Sequence, residues 1–265
     1  MIGAIIGDIA GSRFEWRNHH DRNFDLFTDI CAFTDDSVLT IAVARALMDP
    51  YDSPAELSDH TVARMRELGN LYPNRGFGGF FRLWLRADTP QPYNSFGNGA
   101  AMRVSACAWK ANSLDEALRL SDAVTVVTHN HPEGIKGAAA VTAAIYLARK
   151  GKTAAEIRDY IENNFYSLDF TLDEIRPSYR FDSTCQGSVP QAIRAFYESS
   201  GFEDTIRSAI SIGGDSDTIA AIAGSIAEAY YGVPSLLRER ALTYLDDYLT
   251  KIVSDFEALY PPKIT

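Results

Sequence analysis

Cysteine is scarce in this chain: Cys31, Cys107 and Cys185 are the only three among 265 residues, with no C-x-x-C pair and an odd count. That excludes a disulfide framework and a thiolate zinc cluster, and it fits a reducing compartment, so a cytoplasmic location is expected. Positive charge is also in short supply. Lys and Arg number 25 against 35 Asp and Glu, a formal net charge of -10. Charge therefore implies no nucleic-acid partner, because counterion release needs clustered cations. Long hydrophobic runs are missing too. The longest uncharged stretch of small apolar residues, Gly137 to Ala148, holds 12 residues between Lys136 and Arg149, short of the roughly 20 that a bilayer span requires. The N-terminal MIGAIIGDIAG has the apolar character of a signal segment, yet Asp8 interrupts it and no Lys or Arg precedes it, so it is expected to be mature structure. Period-two alternation is nearly absent, which argues against a sheet-rich fold.

What remains is helical. Apolar residues recur three and four apart in Val38 to Leu47, Ala117 to Val127, Ile135 to Ala148, Val189 to Phe196, Ile219 to Ala229 and Leu236 to Leu259. Start and stop signals agree: Ser113 with Glu116 has the form of a capping box, Pro132 suits a first helical turn, and Gly151 and Gly232 follow the last periodic residues. Faces such as GIKGAAAVTAAIYLA and TIAAIAGSIAEA let backbones approach closely, so the fold expected is an all-α, compact, orthogonal multi-helix bundle. Loops fall at 69 to 79, 88 to 99 and 177 to 188, without a linker or a repeat. A single domain over residues 1–265 is expected if the chemical motifs at the two ends meet.

Four segments carry chemistry. FTDDSVLT (33 to 40) places Asp35 and Asp36 after Thr34 at a helix start, and SIGGDSDTIAAIAGS (211 to 225) places Asp215, Asp217 and Thr218 at another. Such residues serve as ordinary N-caps and dipole partners. Alternatively, four carboxylates and two hydroxyls, with no soft ligand, suit two hard cations such as Mg²⁺, Mn²⁺ or Ca²⁺; spacing alone leaves both readings open. FGNGAAMRVSACAW (96 to 109) sets Gly97 and Gly99 ahead of a helix, where free N–H groups and the dipole can hold a phosphate. Arg103 in the same segment is equally compatible with the surface. VTHNHPEGIKG (127 to 137) offers His129 and His131, whose spacing suits hydrogen bonding or stacking on a ligand better than a shared metal.

Six blocks, GDIAGSRFEW (7 to 16), FTDDSVLTIAVA (33 to 44), FGNGAAMRVS (96 to 105), THNHPEGIKGA (128 to 138), CQGSVPQAIRAF (185 to 196) and ISIGGDSDTIAAIAGSIAEA (210 to 229), resemble the ADP-ribosylglycohydrolase family in order and spacing. The resemblance spans nearly the whole chain, and the blocks look especially like those of short bacterial members. Ala100 and Ala106 depart from it, since members often carry Ser and Pro there. It implies an all-α fold with two Mg²⁺ (or Mn²⁺) ions held by Thr34, Asp35, Asp36, Asp215, Asp217 and Thr218, which favours the metal reading. It further implies that Glu15 lies near the metals in a catalytic or gating role. Gly97, Asn98 and Gly99, with His129, Asn130 and His131, are implied to hold the diphosphate and adenosine.

The activity implied is cleavage of the ribose C1″ glycosidic bond of ADP-ribosylated protein, nucleic acid or small-molecule acceptors, releasing ADP-ribose. Nucleic acid is a partner only where it carries the modification, and no membrane partner is expected. Positive charge builds on the anomeric carbon as that bond breaks, and the leaving atom needs a proton. Glu15, Asp36 and Asp217 are the candidates to move it. The alternatives are a dimetal phosphohydrolase of nucleotide diphosphates and a non-enzymatic, crystallin-like ADP-ribose reader. Loops at 17 to 32 and 69 to 95, with Trp16, Arg17, His19, His20, Tyr72, Arg75, Phe77 and Phe81, are expected to choose the acceptor.

Overall fold

The computed structural model describes all 265 residues, and fourteen α-helices follow one another along them. The first half contains α1 Ile2–Gly11, α2 Asp35–Met48, α3 Pro54–Leu71, α4 Gly79–Arg86, α5 Ser105–Lys110, α6 Leu114–Thr125 and α7 Pro132–Arg149. The second contains α8 Ala154–Asn164, α9 Leu172–Ile175, α10 Cys185–Tyr197, α11 Phe202–Ile210, α12 Ser216–Tyr231, α13 Ser235–Leu242 and α14 Asp247–Leu259. No sheet forms; the strand-like pairings are two isolated bridges, Gly97 with Thr184 and Val233 with Ile264. The all-α bundle is thus as expected, and no helix is long and apolar enough to cross a membrane.

Local chemistry explains most boundaries. Thr34, Ser113 and His131 cap α2, α6 and α7 through side-chain acceptors, and Pro132 occupies the first turn of α7. The box at Ser113 closes in one direction only, because the Glu116 carboxylate accepts from the N–H of Asn112. Gly151 and Gly232 adopt the positive φ expected of stop residues. The run from Leu236 to Leu259 is two helices, not one. Asp246 accepts from the N–H of Leu249 at 2.9 Å and starts α14 afresh. Leu242, Leu245 and Leu249 keep helical spacing across the break, which hides it from periodicity.

Helix α1 reads poorly as an amphipathic helix because all ten of its residues are buried. It lies against α12, which also packs on α7, α10 and α11 at the centre of the molecule. Gly3, Gly7 and Gly11 form a stripe along α1. A Cβ at Gly7 would stand 2.1 Å from the Ala220 carbonyl oxygen, and one at Gly11 2.5 Å from the Cα of Asp217. Backbone therefore meets backbone, and this close crossing carries Asp8 of α1 to the start of α12. The three cysteines are free and buried.

Candidate active site

The two aspartate-rich helix starts meet. Thr218 Oγ1 donates to Asp36 Oδ2 at 3.1 Å across 182 residues of sequence. Asp36, Asp215, Asp217 and Thr218 are all buried, at 3 to 6% exposure. Asp8, which sequence reading takes only as a break in an apolar run, is what aligns the first of these starts. Its Oδ2 accepts from the N–H of Thr34 at 2.9 Å, from the N–H of Ser37 at 3.1 Å and from the Ser37 hydroxyl, while Oδ1 accepts from Thr34 Oγ1 at 2.6 Å. A carboxylate of α1 thus occupies the N-terminus of α2 and satisfies donors that the helix leaves free. The signal for Asp8 was present in sequence: a lone charge in an otherwise apolar and glycine helix must find partners when buried.

Two carboxylate groupings result. Asp8, Asp36 and Asp217 each place an oxygen within 4.8 Å of the others, and so do Glu15, Asp215 and Asp217. Asp217 belongs to both. Asp35 stands outside them on the cleft wall, its Oδ1 near Gly76. Thr34 is the N-cap of α2, its Oγ1 accepting from the Asp36 N–H at 3.3 Å, and it does not line the cleft. Burial pushes the Asp35, Asp36 and Asp217 carboxyls well above their usual range, with neighbouring aspartates adding to it. Glu15, half-buried on the loop after α1, is pushed up to about 7 by desolvation and then by Asp215 and Asp8. Asp36 Oδ1 is buried with no hydrogen-bond partner.

Glu15, Asp35, Asp36, Asp215, Asp217 and Thr218 line a cleft of about 420 Å³ as an acidic wall, within the size range of small-molecule sites. Gly97, Asn98, Gly99, Arg103 and His129 form another part of its lining. Here the structure leaves the expected phosphate cradle fewer free N–H groups, that of Gly99 among them. Gly97 precedes one 3₁₀ turn, Asn98–Ala100, which contains Gly99, and α5 begins only at Ser105. The N–H of Gly97 is held by Ser95 Oγ and that of Asn98 by the Ser183 carbonyl. The Asn98 side chain turns to the acidic wall, donating to Asp215 at 2.7 Å and to Ser188 at 3.0 Å. His129 lines the cleft, whereas Asn130 and His131 do not. Asn130 accepts from the Asn94 N–H, and His131 caps α7 through Nδ1.

Stacked aromatics frame the mouth: Trp16 on Phe181 at 5.0 Å, and Phe80 on Tyr93 at 6.0 Å. Of the loop residues singled out by sequence, Phe77 is a buried packing residue, and Phe81, also buried, lines the cleft together with Phe80. Tyr72 donates to Asp246, and Arg75 lies over the Phe33 ring. Phe80, Tyr93 and Phe181 escape sequence reading because nothing local distinguishes a rim aromatic from a buried one.

Fold and cleft together define a helical protein with an all-oxygen acidic centre beside a glycine loop. The profile of the ADP-ribosylglycohydrolase family matches residues 1–263. The chain is 27% identical to ADP-ribosylhydrolase ARH3 of Bos taurus, over 88% of this chain and 84% of that protein. It is 25% identical to the ADP-ribosylarginine hydrolase Tri1 of Pseudomonas putida (89% and 70% covered). It is 27% identical to the ADP-ribosyl-dinitrogen reductase glycohydrolase of Rhodospirillum rubrum (77% and 70%). A solved ADP-ribosylglycohydrolase-related protein complex shares the fold, with a TM-score of 0.68 at 20% identity over 98% of this chain and 96% of that one. The chain belongs to the ADP-ribosylglycohydrolase family, a family of glycosidic-bond hydrolases.

Proposed function

We propose that this cleft hydrolyses the ribose C1″ bond of an ADP-ribosylated acceptor and releases ADP-ribose, with two divalent cations, Mg²⁺ or Mn²⁺, as cofactors. The observation that carries this reading is the meeting of both aspartate-rich helix starts with Glu15 in one cleft that Gly97–Gly99 and His129 also line, with Asp8 buried behind them. Oxygen-only donors, two groupings that share Asp217, and a buried Asp36 oxygen without a partner fit hard cations. Thr34, Asp35, Asp36, Asp215, Asp217 and Thr218 are the proposed ligands. Asp8 accepts four hydrogen bonds, three at Oδ2 and one at Oδ1, so its proposed role is to position α2 beside the ligands. When bound, the cations supply charge neutralisation and Lewis-acid polarisation of ligand oxygens.

The remaining work falls to the chain's own side chains. The carboxylate wall favours the positive charge that develops at C1″ as the bond breaks. Glu15 is the proposed proton-transfer group, because it is half-buried at the cleft mouth while Asp36 and Asp217 lie beneath it and are held by Thr218. Asn98 ties the glycine loop to Asp215, so the two parts of the lining keep a constant spacing around the substrate. The stacked rim aromatics are the proposed contact for the acceptor.

Incubation with arginine-, serine-, nucleic-acid- and O-acetyl-linked ADP-ribose, with and without Mg²⁺ or Mn²⁺, tests the reading. Metal-dependent release of intact ADP-ribose from at least one substrate is expected. Release of AMP or phosphate, or turnover unaffected by thorough chelation, would overturn it.

A further inference from the structure

Arg103 has the largest fully buried side chain in the molecule. No carboxylate lies within 4 Å of it; its Nη2 donates to the Val124 carbonyl at 3.3 Å and to Thr128 Oγ1 at 2.7 Å, and Nε and Nη1 have no partner. A guanidinium serving only the core would be costly there, since a buried charge needs a counterion. Thr128 Oγ1 is in turn 2.7 Å from His129 Nδ1. Arginine can only donate, so Oγ1 accepts from it. The Thr128 hydroxyl has no other acceptor, and its proton therefore goes to Nδ1. Nδ1 is then the acceptor nitrogen, and the ring carries its proton on Nε2. Nε2 makes no bond within the chain and faces the glycine loop: a Cβ at Gly99 would lie 3.3 Å from it and one at Gly97 3.5 Å.

Resting on the function proposed above, we propose that Arg103 is a positioning residue. Acting through Thr128, it fixes His129 as the Nε2–H tautomer and so presents a hydrogen-bond donor to the phosphate that lies against Gly97–Gly99. The relay adds a second donor to the one N–H the loop leaves free, that of Gly99, because the N–H groups of Gly97 and Asn98 already have partners. The buried cation serves a second purpose. It opposes protonation of His129, whose pKa lies well below the usual range through burial and the Arg103 charge, and its uncompensated charge favours an anionic ligand on this wall.

Two-bond ¹H–¹⁵N NMR of the full chain reads the tautomer directly, and calorimetry with ADP-ribose reads its use. The parental protein is expected to show Nε2–H alone. Thr128→Val, close in shape but without the hydroxyl, should admit the Nδ1–H form and weaken ADP-ribose binding roughly 10- to 100-fold, the worth of one hydrogen bond to a charged group. Thr128→Ser keeps the hydroxyl and should fall between parent and Val; a packing role for Thr128 gives the opposite order, with Ser worse than Val. Arg103→Met should also mix the tautomers, and if that variant does not fold, the Thr128 pair decides. An Nδ1–H ring in the parent, an unchanged tautomer in Thr128→Val, or Ser weaker than Val would overturn the proposal. Failure of the parental protein to bind ADP-ribose would instead sink the proposed function, and the tautomer measurement would still decide the relay.

Discussion

Asp8, Glu15 and Asp217 are three carboxylates of one acidic cluster, Asp8 buried behind the cleft that the other two line, and their surroundings give them different tasks. Asp8 is saturated by donors from Thr34 and Ser37, so Asp8→Asn turns an amide NH₂ toward groups that themselves donate. The expected cost is about 1–3 kcal/mol of stability, measured by denaturant unfolding, together with weaker cation binding because Asp36 loses its alignment. A stability equal to the parent's would show that α2 is held without Asp8. Glu15 is less constrained and more open. Glu15→Gln keeps shape and should keep ADP-ribose affinity while single-turnover cleavage falls by roughly 10²–10⁴; cleavage at the parental rate would move proton transfer to Asp36 or Asp217. Asp217→Ala should differ, because both carboxylate groupings share Asp217. Binding and turnover are expected to fail together, and excess cation should not restore them.

At the scale of elements, the crossing of α1 and α12 sets the site. Gly7 sits where a side chain would strike the Ala220 carbonyl at 2.1 Å, a backbone atom that cannot swing aside. Gly7→Val must therefore push the helices apart, with a destabilisation of about 1–3 kcal/mol or more. Because Asp8 and Asp217 ride on opposite sides of that crossing, the stabilisation gained from added Mg²⁺ or Mn²⁺ should shrink as well. Thermal melts of parent and variant with and without cation measure both effects; an undiminished cation response would mean that the crossing does not space the carboxylates. The helix starts, by contrast, are locally encoded. Thr34, Ser113, His131 and Pro132 make their caps within a few residues of themselves, and so they are readable in sequence. Asp246 acts equally locally, but an unbroken leucine spacing conceals it.

For the molecule as a whole, the proposed cations join residues from both ends of the chain, so binding and folding are linked. At a free cation concentration near 100 times Kd, native-state binding adds about 2.7 kcal/mol, which in a chain of this size raises Tm by roughly 5–10 °C. Thorough chelation should remove that increment, and a melting curve indifferent to chelation would rule out the two-cation centre. The proposed single folding unit over residues 1–265 has a further consequence. A fragment ending near residue 150 lacks α12, against which α1 buries its glycine stripe, and it should neither unfold cooperatively nor bind cations. Cooperative unfolding of that fragment would show that the chain divides.

Helical periodicity, the absence of alternation and the cap residues decide the all-α class from sequence alone, because each depends on neighbours three or four residues away. The donor chemistry is equally plain, since carboxylates and hydroxyls are ligand types wherever they lie. Only the tertiary structure decides which of them meet. No local signal brings Asp36 within reach of Thr218, gives Asp8 to the start of α2, buries Arg103 behind His129, or excludes Asn130 and His131 from the cleft. Those outcomes follow from how closely helix backbones can pack, which is a property of pairs of glycine and alanine faces distant in the chain, and they exist only once the helices have docked.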